Sequence, residues 1–133
     1  MKEFSIIVAM DDKHGIGKSG DLAWRLSSDL KHFKELTTYT QDKNKQNAVI
    51  MGRKTWDSLP DKFKPLPGRC NIVLSQNSSL HLSPQALTFT TIDDALEIID
   101  SMNDIENVFI IGGGQVYAQA ISHIKCQKLY LTH

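Results

Sequence analysis

Residues 108–114 read Val-Phe-Ile-Ile-Gly-Gly-Gly, and this segment says most about the fold. The first four residues are a continuous apolar run, which is typical of a strand buried on both faces of a sheet. Three glycines then end the strand abruptly, and residues 115–122 are predicted to form a short helix. A buried strand that leads through glycines into a helix is typical of an α/β protein.

The same succession of apolar strands and helices continues on both sides of this segment. Further strands are predicted at residues 4–10, 47–51, 71–75, 87–90 and 128–132, and further helices at residues 27–37, 53–59 and 91–102. Thr91 is the predicted N-cap of the last of these helices, with Asp94 as its capping-box partner. Strands separated by helices predict a three-layer α/β sandwich, in which helices cover both faces of a mostly parallel sheet.

Length and composition are those of an ordinary globular protein. The chain has 133 residues, enough for one domain over residues 1–133, with a hydrophobic fraction of 41% and a charged fraction of 23%. The formal net charge is zero, which argues against nucleic acid or an anionic membrane as the partner. The apolar segment 4–10 is too short to cross a bilayer.

Cysteine and histidine usage indicates a reducing compartment and no metal site. Cys70 and Cys126 stand far apart without metal-ligand spacing, so we expect two reduced thiols in a cytoplasmic protein. The five histidines form no metal-binding pattern, and no metal is predicted.

Residues 15–20, Gly-Ile-Gly-Lys-Ser-Gly, match the letters of a dinucleotide-binding fingerprint in the wrong context. That fingerprint must leave a strand and open a helix at once, whereas residues 11–14 intervene here. The end of the stretch resembles a phosphate-binding P-loop, but Asp12 stands where that loop needs its first glycine. We therefore interpret residues 11–26 as a mobile flap that closes over a ligand.

Asp29 is the strongest candidate for a catalytic residue. It lies in the first turn of the predicted helix 27–37, and Phe33 follows one turn later on the same face. A carboxylate beside a flat aromatic ring suits a planar heterocycle, whose ring N–H and amino group it can bind together. A simple N-terminal capping carboxylate is the alternative interpretation.

Glycines and cations mark a second candidate region, suited to an anionic ligand. The glycines at 112–114 remove every side chain at a strand-to-helix junction, so a phosphate could approach the helix amides; a tight turn is the alternative. Arg53 and Lys54 stand at a predicted helix start, where the helix dipole disfavours cations unless a bound phosphate supplies negative charge. Two solvated surface charges are the alternative, and for such a pair they are usually the safer interpretation. Arg69, in a turn, could bind a substrate carboxylate.

Taken together and in order, these residues resemble the dihydrofolate reductase family along essentially the whole chain. The matching segments are Ile7-Val8-Ala9, Gly15-Ile16-Gly17, Gly20-Asp21-Leu22-Ala23-Trp24, Asp29-Leu30, Phe33-Lys34, Val49-Ile50-Met51-Gly52-Arg53-Lys54-Thr55-Trp56, Pro65-Leu66-Pro67-Gly68-Arg69, Asn71-Ile72-Val73-Leu74-Ser75, Ile111-Gly112-Gly113-Gly114-Gln115-Val116-Tyr117 and Leu129-Tyr130-Leu131-Thr132-His133. The resemblance implies an NADPH-dependent oxidoreductase that transfers a hydride to C6 of 7,8-dihydrofolate. The product, tetrahydrofolate, would serve thymidylate, purine and one-carbon metabolism, and antifolate inhibitors would bind the same site.

The resemblance also implies the catalytic and substrate-binding roles. Asp29 would bind the pterin N3 and 2-amino group, with Thr132 hydrogen-bonding behind it. Leu22 and Trp24 would act from the flap, where Trp24 would hold an ordered water. The other implied substrate contacts are Phe33 on the pterin ring, the main-chain carbonyls of Ile7 and Ile111 at its edge, Val8 and Ala9 beside them, Leu59 at the aminobenzoyl group and Arg69 at the glutamate α-carboxylate.

Implied contacts with the cofactor extend along the chain. They are Ala9, Ile16, Thr55 and Tyr117 at the nicotinamide, Gly113 and Gly114 at the pyrophosphate, and Arg53, Lys54 and Ser75 at the adenosine 2′-phosphate. The resemblance also implies cofactor contacts at Gly17, Gly20, Gly52, Leu74, Gly112, Gln115 and Val116. Recognition of a 2′-phosphate implies NADPH rather than NADH.

Two departures from the family pattern leave alternatives open. Ala23 stands where proline commonly precedes the flap tryptophan, and the chain ends at His133, so we expect the C-terminal strands of the domain to be missing. The alternatives are a catalytically incomplete NADPH- and folate-binding fragment, or a domain of a larger protein fused to thymidylate synthase. A reductase of the same fold acting on a riboflavin-pathway pyrimidine is disfavoured by Asp29, Phe33 and Arg69. We expect a monomer.

Overall fold

The computed structural model describes residues 3–9, 27–59, 64–77, 82, 86–123 and 126–132. Side chains are described for the same residues except 8, 9, 27–32 and 127–132. Within these ranges, none of the helices is long and apolar enough to span a membrane.

Strands and helices alternate along the described residues, which confirms the predicted α/β class. The strands are β1 (Phe4–Ala9), β2 (Gln46–Gly52), β3 (Arg69–Leu74), β4 (Leu87–Phe89), β5 (Ile105–Gly112) and β6 (Cys126–Thr132). The helices are α1 (Ser27–Thr38), α2 (Arg53–Ser58), α3 (Ile92–Asp100) and α4 (Gly114–Ile121). The boundaries agree with the apolar pattern except at the starts of three strands.

Three strands, β3, β5 and β6, begin two or three residues before the apolar runs that predicted them. In β3, Arg69 pairs with Asn47 of β2, and in β5, Ile105 pairs with Gln46. The backbone ladder does not require apolar side chains, so the polar residues Arg69 in β3 and Glu106 and Asn107 in β5 extend these strands beyond their apolar runs.

The six strands form one parallel sheet in the order β4-β3-β2-β5-β1-β6. β5 lies between β1 and β2, with Ile110 in register with Ile6 on one side and Ile50 on the other. Parallel strands end at the same edge, so the segments that follow β2, β3 and β5 are brought together there. This is the edge at which open α/β sheets bind ligands.

Side chains on successive strand residues alternate between the two faces of the sheet. On one face, α3 and α4 pack against a cluster that includes Ile6, Ile50, Ile72 and Ile110. On the other face, α1 and α2 pack against a cluster that includes the strand neighbours Ile7, Val49, Val73 and Ile111. Helices therefore cover both faces, as the predicted three-layer sandwich requires.

The N-terminus of α3 carries the predicted cap. The Thr91 hydroxyl accepts a hydrogen bond from the Asp94 backbone N–H at 3.0 Å. The Asp94 carboxylate accepts one from the Thr90 hydroxyl at 3.3 Å. Such a cap satisfies a helix amide that would otherwise lack an acceptor, and it fixes α3 directly after β4.

Candidate active site

A cavity of about 350 Å³ lies at the carboxyl edge of the sheet, between the ends of β2 and β3 and the start of α4. The predicted cofactor-binding residues that line it are Gly52, Lys54, Leu74, Ser75, Gly113, Gly114, Gln115 and Val116. The fold thus gathers three separate sequence segments into one site.

The start of α4 presents uncapped amides to this cavity. The N-cap residue of α4 is Gly113, which has no side chain that could accept a hydrogen bond from the first amides of the helix. A Cβ added at Gly114 would meet no atom within 4 Å, so the space beside the helix start is open. Unpaired N–H groups at a helix N-terminus attract anions, and Lys54 supplies the only charge among the described lining residues. The arrangement suits a phosphate or pyrophosphate group.

Gly112, the last residue of β5, requires the absence of a side chain. Its φ of +139° lies in the region that L-residues rarely adopt. A Cβ there would lie 3.2 Å from the Thr55 hydroxyl and 3.4 Å from the Tyr117 hydroxyl. The chain therefore passes close to both side chains at this point.

The Thr55 hydroxyl is buried and has no hydrogen-bond partner among the described residues. It lies next to Gly112, and these two predicted cofactor-binding residues adjoin the cavity without being among the residues that line it. A buried polar group without a partner costs about 1–3 kcal/mol, so such a group at a functional site points to a ligand. Thr55 is thus available to a polar group of a bound molecule.

The Tyr117 hydroxyl ties together two strands of the sheet. It lies 2.8 Å from the carbonyl oxygen of Ile7 in β1 and 2.8 Å from that of Ile111 in β5. A phenol has one proton, so it donates to one carbonyl at a time and leaves acceptor capacity on both. Burial raises the pKa of Tyr117, so the hydroxyl stays protonated. The two carbonyls predicted to flank a pterin are therefore held close together.

A second group of predicted residues lies on the face of the sheet that α1 and α2 cover, where α1 meets β3. The Arg69 guanidinium lies 5.9 Å from the centroid of the Phe33 ring, and Leu59 belongs to the same apolar cluster as Phe33. Burial lowers the pKa of Arg69 to about 10, so the side chain remains cationic at neutral pH. Among the described residues, no carboxylate forms an ion pair with Arg69. An anionic ligand would supply the missing charge.

The turn that carries Arg69 is fixed by the buried side chain of Asn71. Its Oδ1 accepts a hydrogen bond from the Leu66 N–H at 2.8 Å, and its amide donates to the carbonyls of Leu66 and Arg69 at 3.0 and 2.9 Å. Residues 66–69 are thereby held against the start of β3. This role of Asn71 was not predicted from the sequence.

The cation predicted beside Lys54 is bound within its own helix. The Arg53 Nε lies 3.2 and 3.3 Å from the two carboxylate oxygens of Asp57, one turn along α2. Both side chains are about half exposed, and Arg53 is not among the described residues that line the cavity. Asp57 thus supplies a negative charge to Arg53, where a bound phosphate was expected to do so.

Several predicted residues are described only by their backbone. Asp29 lies in the first turn of α1, as predicted, and Thr132 of β6 pairs in register with Ala9 of β1, next to Val8. The side chains of all four lie outside the described residues. The flap residues Ile16, Gly17, Gly20, Leu22 and Trp24 lie outside them entirely.

Gln76, Thr90 and Gln119 line the cavity but were not predicted. Gln76 and Thr90 directly follow Ser75 and β4, so their position after parallel strands was an available signal. Gln119 lies one turn after Gln115 in α4, which also places it on the same side of that helix.

The chain is similar to proteins of known family along nearly its whole length. The sequence model of the dihydrofolate reductase family matches residues 3–133. The chain is 44% identical to the dihydrofolate reductase of Aedes albopictus and 43% identical to that of Drosophila melanogaster, covering 99% of this chain and 73% of each relative. It is 42% identical to the bifunctional dihydrofolate reductase-thymidylate synthase 2 of Arabidopsis thaliana, over 97% of this chain and 24% of that protein. The structure resembles Schistosoma mansoni dihydrofolate reductase with a TM-score of 0.84 and 34% identity, over 98% of this chain and 72% of the other.

Proposed function

Because the chain belongs to the dihydrofolate reductase family, we propose that it reduces 7,8-dihydrofolate to tetrahydrofolate with NADPH. The observation that carries the substrate assignment is the buried Arg69 guanidinium beside Phe33. A buried cation without a carboxylate partner among the described residues is costly unless a ligand pairs with it. A folate combines a flat ring system with a terminal carboxylate, which suits this pair of side chains.

We assign the cavity at the start of α4 to the phosphate-bearing part of nicotinamide adenine dinucleotide phosphate. The uncapped α4 amides suit its pyrophosphate, and the buried Thr55 hydroxyl is available near the strand end. Lys54 and Ser75, both in the cavity wall, suit a 2′-phosphate and support NADPH over NADH. When bound, this cofactor supplies the hydride that reduces C6 of the pterin.

The chain's own residues would orient and polarise the substrate. We assign to Asp29 the binding of pterin N3 and the 2-amino group, which favours protonation at N5 through a water held near Trp24. The carbonyls of Ile7 and Ile111, joined by the Tyr117 hydroxyl, would accept hydrogen bonds at the other edge of the ring. The aromatic face of Phe33 would exclude water from the same ring.

A second candidate function is that of a reductase domain within a larger bifunctional protein. The similarity to bifunctional reductase-synthase proteins, which this chain matches over about a quarter of their length, favours it. We propose a cytoplasmic location in either case, since Cys70 and Cys126 are both free thiols, as expected in a reducing compartment. A monomer and binding of antifolates remain part of the proposal.

The deciding experiment is NADPH oxidation, followed by absorbance, after dihydrofolate is added to this chain, with methotrexate as the inhibitor control. Methotrexate-sensitive oxidation that is faster with NADPH than with NADH would support the proposal. Binding of NADPH and methotrexate without oxidation, measured by quenching of tryptophan fluorescence, would favour the catalytically incomplete fragment. Binding of neither ligand would contradict the proposed function.

A further inference from the structure

Three contacts fix the Arg69 guanidinium in the structure. Its Nε donates a hydrogen bond to the Pro67 carbonyl at 2.9 Å, and its Nη1 donates to the Thr37 hydroxyl at 2.9 Å. The guanidinium carbon also lies 5.9 Å from the centroid of the Phe33 ring. A guanidinium carries five N–H donors, so these contacts leave donors for a carboxylate while defining the plane in which they point.

Thr37 is suited to holding the Arg69 guanidinium because its hydroxyl both donates and accepts a hydrogen bond. Its hydroxyl donates to the Phe33 carbonyl one turn earlier in α1, at 2.8 Å. The direction of the proton is thereby set, and the oxygen lone pairs face Arg69 as acceptors. Thr37 is fully buried, so water does not compete for the bond.

Thr37 is itself held by Asn47, which lies beside Arg69 in the β2–β3 ladder. The Asn47 side-chain amide donates to the carbonyls of Thr37 and Tyr39, at 2.9 and 2.8 Å. Its Oδ1 accepts a hydrogen bond from the Asn107 N–H of β5, at 3.0 Å. The carbonyls at a helix C-terminus lack partners within the helix, and Asn47 supplies them from the sheet. The last turn of α1 is therefore anchored to two central strands.

We propose that Thr37, anchored by Asn47, is a positioning residue that sets the selectivity of this site for substrates with a terminal carboxylate. Thr37 does this by holding the Arg69 guanidinium in the plane that matches the carboxylate. The inference rests on the proposed function, because it requires a folate whose glutamate reaches Arg69. It concerns neither the pterin end of the substrate nor the cofactor.

Thr38 provides a matched control within the same helix. Its hydroxyl donates to the Lys34 carbonyl at 2.6 Å, as Thr37 does to Phe33, but among the described residues it forms no hydrogen bond with Arg69. Thr37→Val and Thr38→Val therefore remove the same kind of intrahelical bond, and only the first also removes the bond to the guanidinium. Thr37→Ser keeps the hydroxyl and serves as the conservative variant.

The readout is the ratio of kcat/KM for 7,8-dihydrofolate to that for 6-methyl-7,8-dihydropterin, which has no group that reaches Arg69. We expect Thr37→Val to lower this ratio about ten-fold through the KM for dihydrofolate, the effect of one hydrogen bond to a charged group. Thr38→Val and Thr37→Ser should keep the wild-type ratio, and the KM for NADPH should not change. An equal loss on both substrates, or the same ratio in Thr37→Val and Thr38→Val, would overturn the proposal.

Asn47→Ser tests the anchor, at a temperature well below the melting midpoint of the variant. We expect the same selective rise in the KM for dihydrofolate, because the last turn of α1 loses its connection to β2. An unchanged ratio would show that Asn47 does not help Thr37 to position Arg69.

Failure of the proposed function looks different from failure of this inference. A wild-type protein that binds dihydrofolate without turning it over gives the same comparison through dissociation constants for dihydrofolate and 6-methyl-7,8-dihydropterin, measured by fluorescence quenching. A wild-type protein that binds neither compound contradicts the proposed function and the inference together. A wild-type protein that prefers dihydrofolate, combined with an unaltered preference in Thr37→Val, contradicts the inference alone.

Discussion

Replacing Gly112 by alanine should destabilise the protein far more than the same change two residues later. At Gly112 the backbone has a φ of +139°, and an added Cβ would lie 3.2 Å from the Thr55 hydroxyl. At Gly114 an added Cβ would meet nothing within 4 Å. The two variants differ by the same single methyl group from the wild type, so their comparison isolates conformation and packing.

The expected size of the effect follows from these two terms. A side chain in a backbone conformation that L-residues rarely adopt costs on the order of 1–3 kcal/mol. Forcing a methyl group into a packed position costs about 1–3 kcal/mol more. We therefore expect Gly112→Ala to lower the free energy of unfolding by about 2–6 kcal/mol, a large part of the 5–15 kcal/mol typical of a domain. Gly114→Ala should be neutral or stabilising by up to about 1 kcal/mol, since alanine favours the helix.

Urea denaturation followed by circular dichroism measures both free energies of unfolding. Equal m-values in the two variants would show that the same surface is exposed on unfolding and that the comparison is valid. A Gly112→Ala variant as stable as Gly114→Ala would refute the close approach of β5 to Thr55 and Tyr117. Loss of stability in Gly114→Ala would refute the open space beside the start of α4.

Three further predictions concern charge. Asp29→Asn should nearly abolish turnover at neutral pH and regain part of it in acidic buffer, where solvent protonates the substrate; full activity of the variant at neutral pH in the absorbance assay would exclude the role of Asp29. Combined Arg53→Ala and Lys54→Ala should raise the dissociation constant of NADPH much more than that of NADH, as measured by fluorescence titration, and equal losses would remove the pair from 2′-phosphate recognition. Hydrogen bonds from two loop N–H groups lower the pKa of Glu106, so the stability it contributes is present above the ordinary pKa of a glutamate and disappears as pH falls through the lowered value. The difference in unfolding free energy between wild type and Glu106→Gln should therefore vanish in acid, and a gap that persists there would contradict this assignment.

Sequence patterns predicted the succession of strands and helices along the chain because each strand interior is a short apolar run. They placed β3, β5 and β6 too late because residues such as Arg69 and Glu106 belong to the ladder without being apolar. The capping bond between Thr91 and Asp94 was predictable because it depends on residues three apart. Sequence spacing is therefore enough to predict a hydrogen bond whose two partners lie within one helical turn.

The supports of Arg69 could not be predicted in the same way. Thr37 lies 32 residues from Arg69, and Asn47 lies 10 residues from Thr37, so their hydrogen bonds exist only once α1 has packed on the sheet. The ion pair between Arg53 and Asp57 is a different case, because residues four apart on a helix are expected to meet. That local signal was present in the sequence and was overlooked. The roles of Asp29, Trp24 and Leu22 stay predictions.

The alternation of side chains along β5 places its neighbouring residues on opposite faces of the sheet. Ile110 belongs to the layer of α4, which presents amides to the cofactor cavity, whereas Ile111 belongs to the layer of α1, which carries Phe33. Two features nevertheless link these layers. The Tyr117 hydroxyl of α4 lies 2.8 Å from the carbonyl oxygens of Ile7 and Ile111, and Lys54 in the cavity wall belongs to α2, which packs on the same face as α1. Redesign of the side that holds the substrate would therefore have to preserve the Tyr117 hydrogen bonds and the position of α2, which join it to the cofactor side.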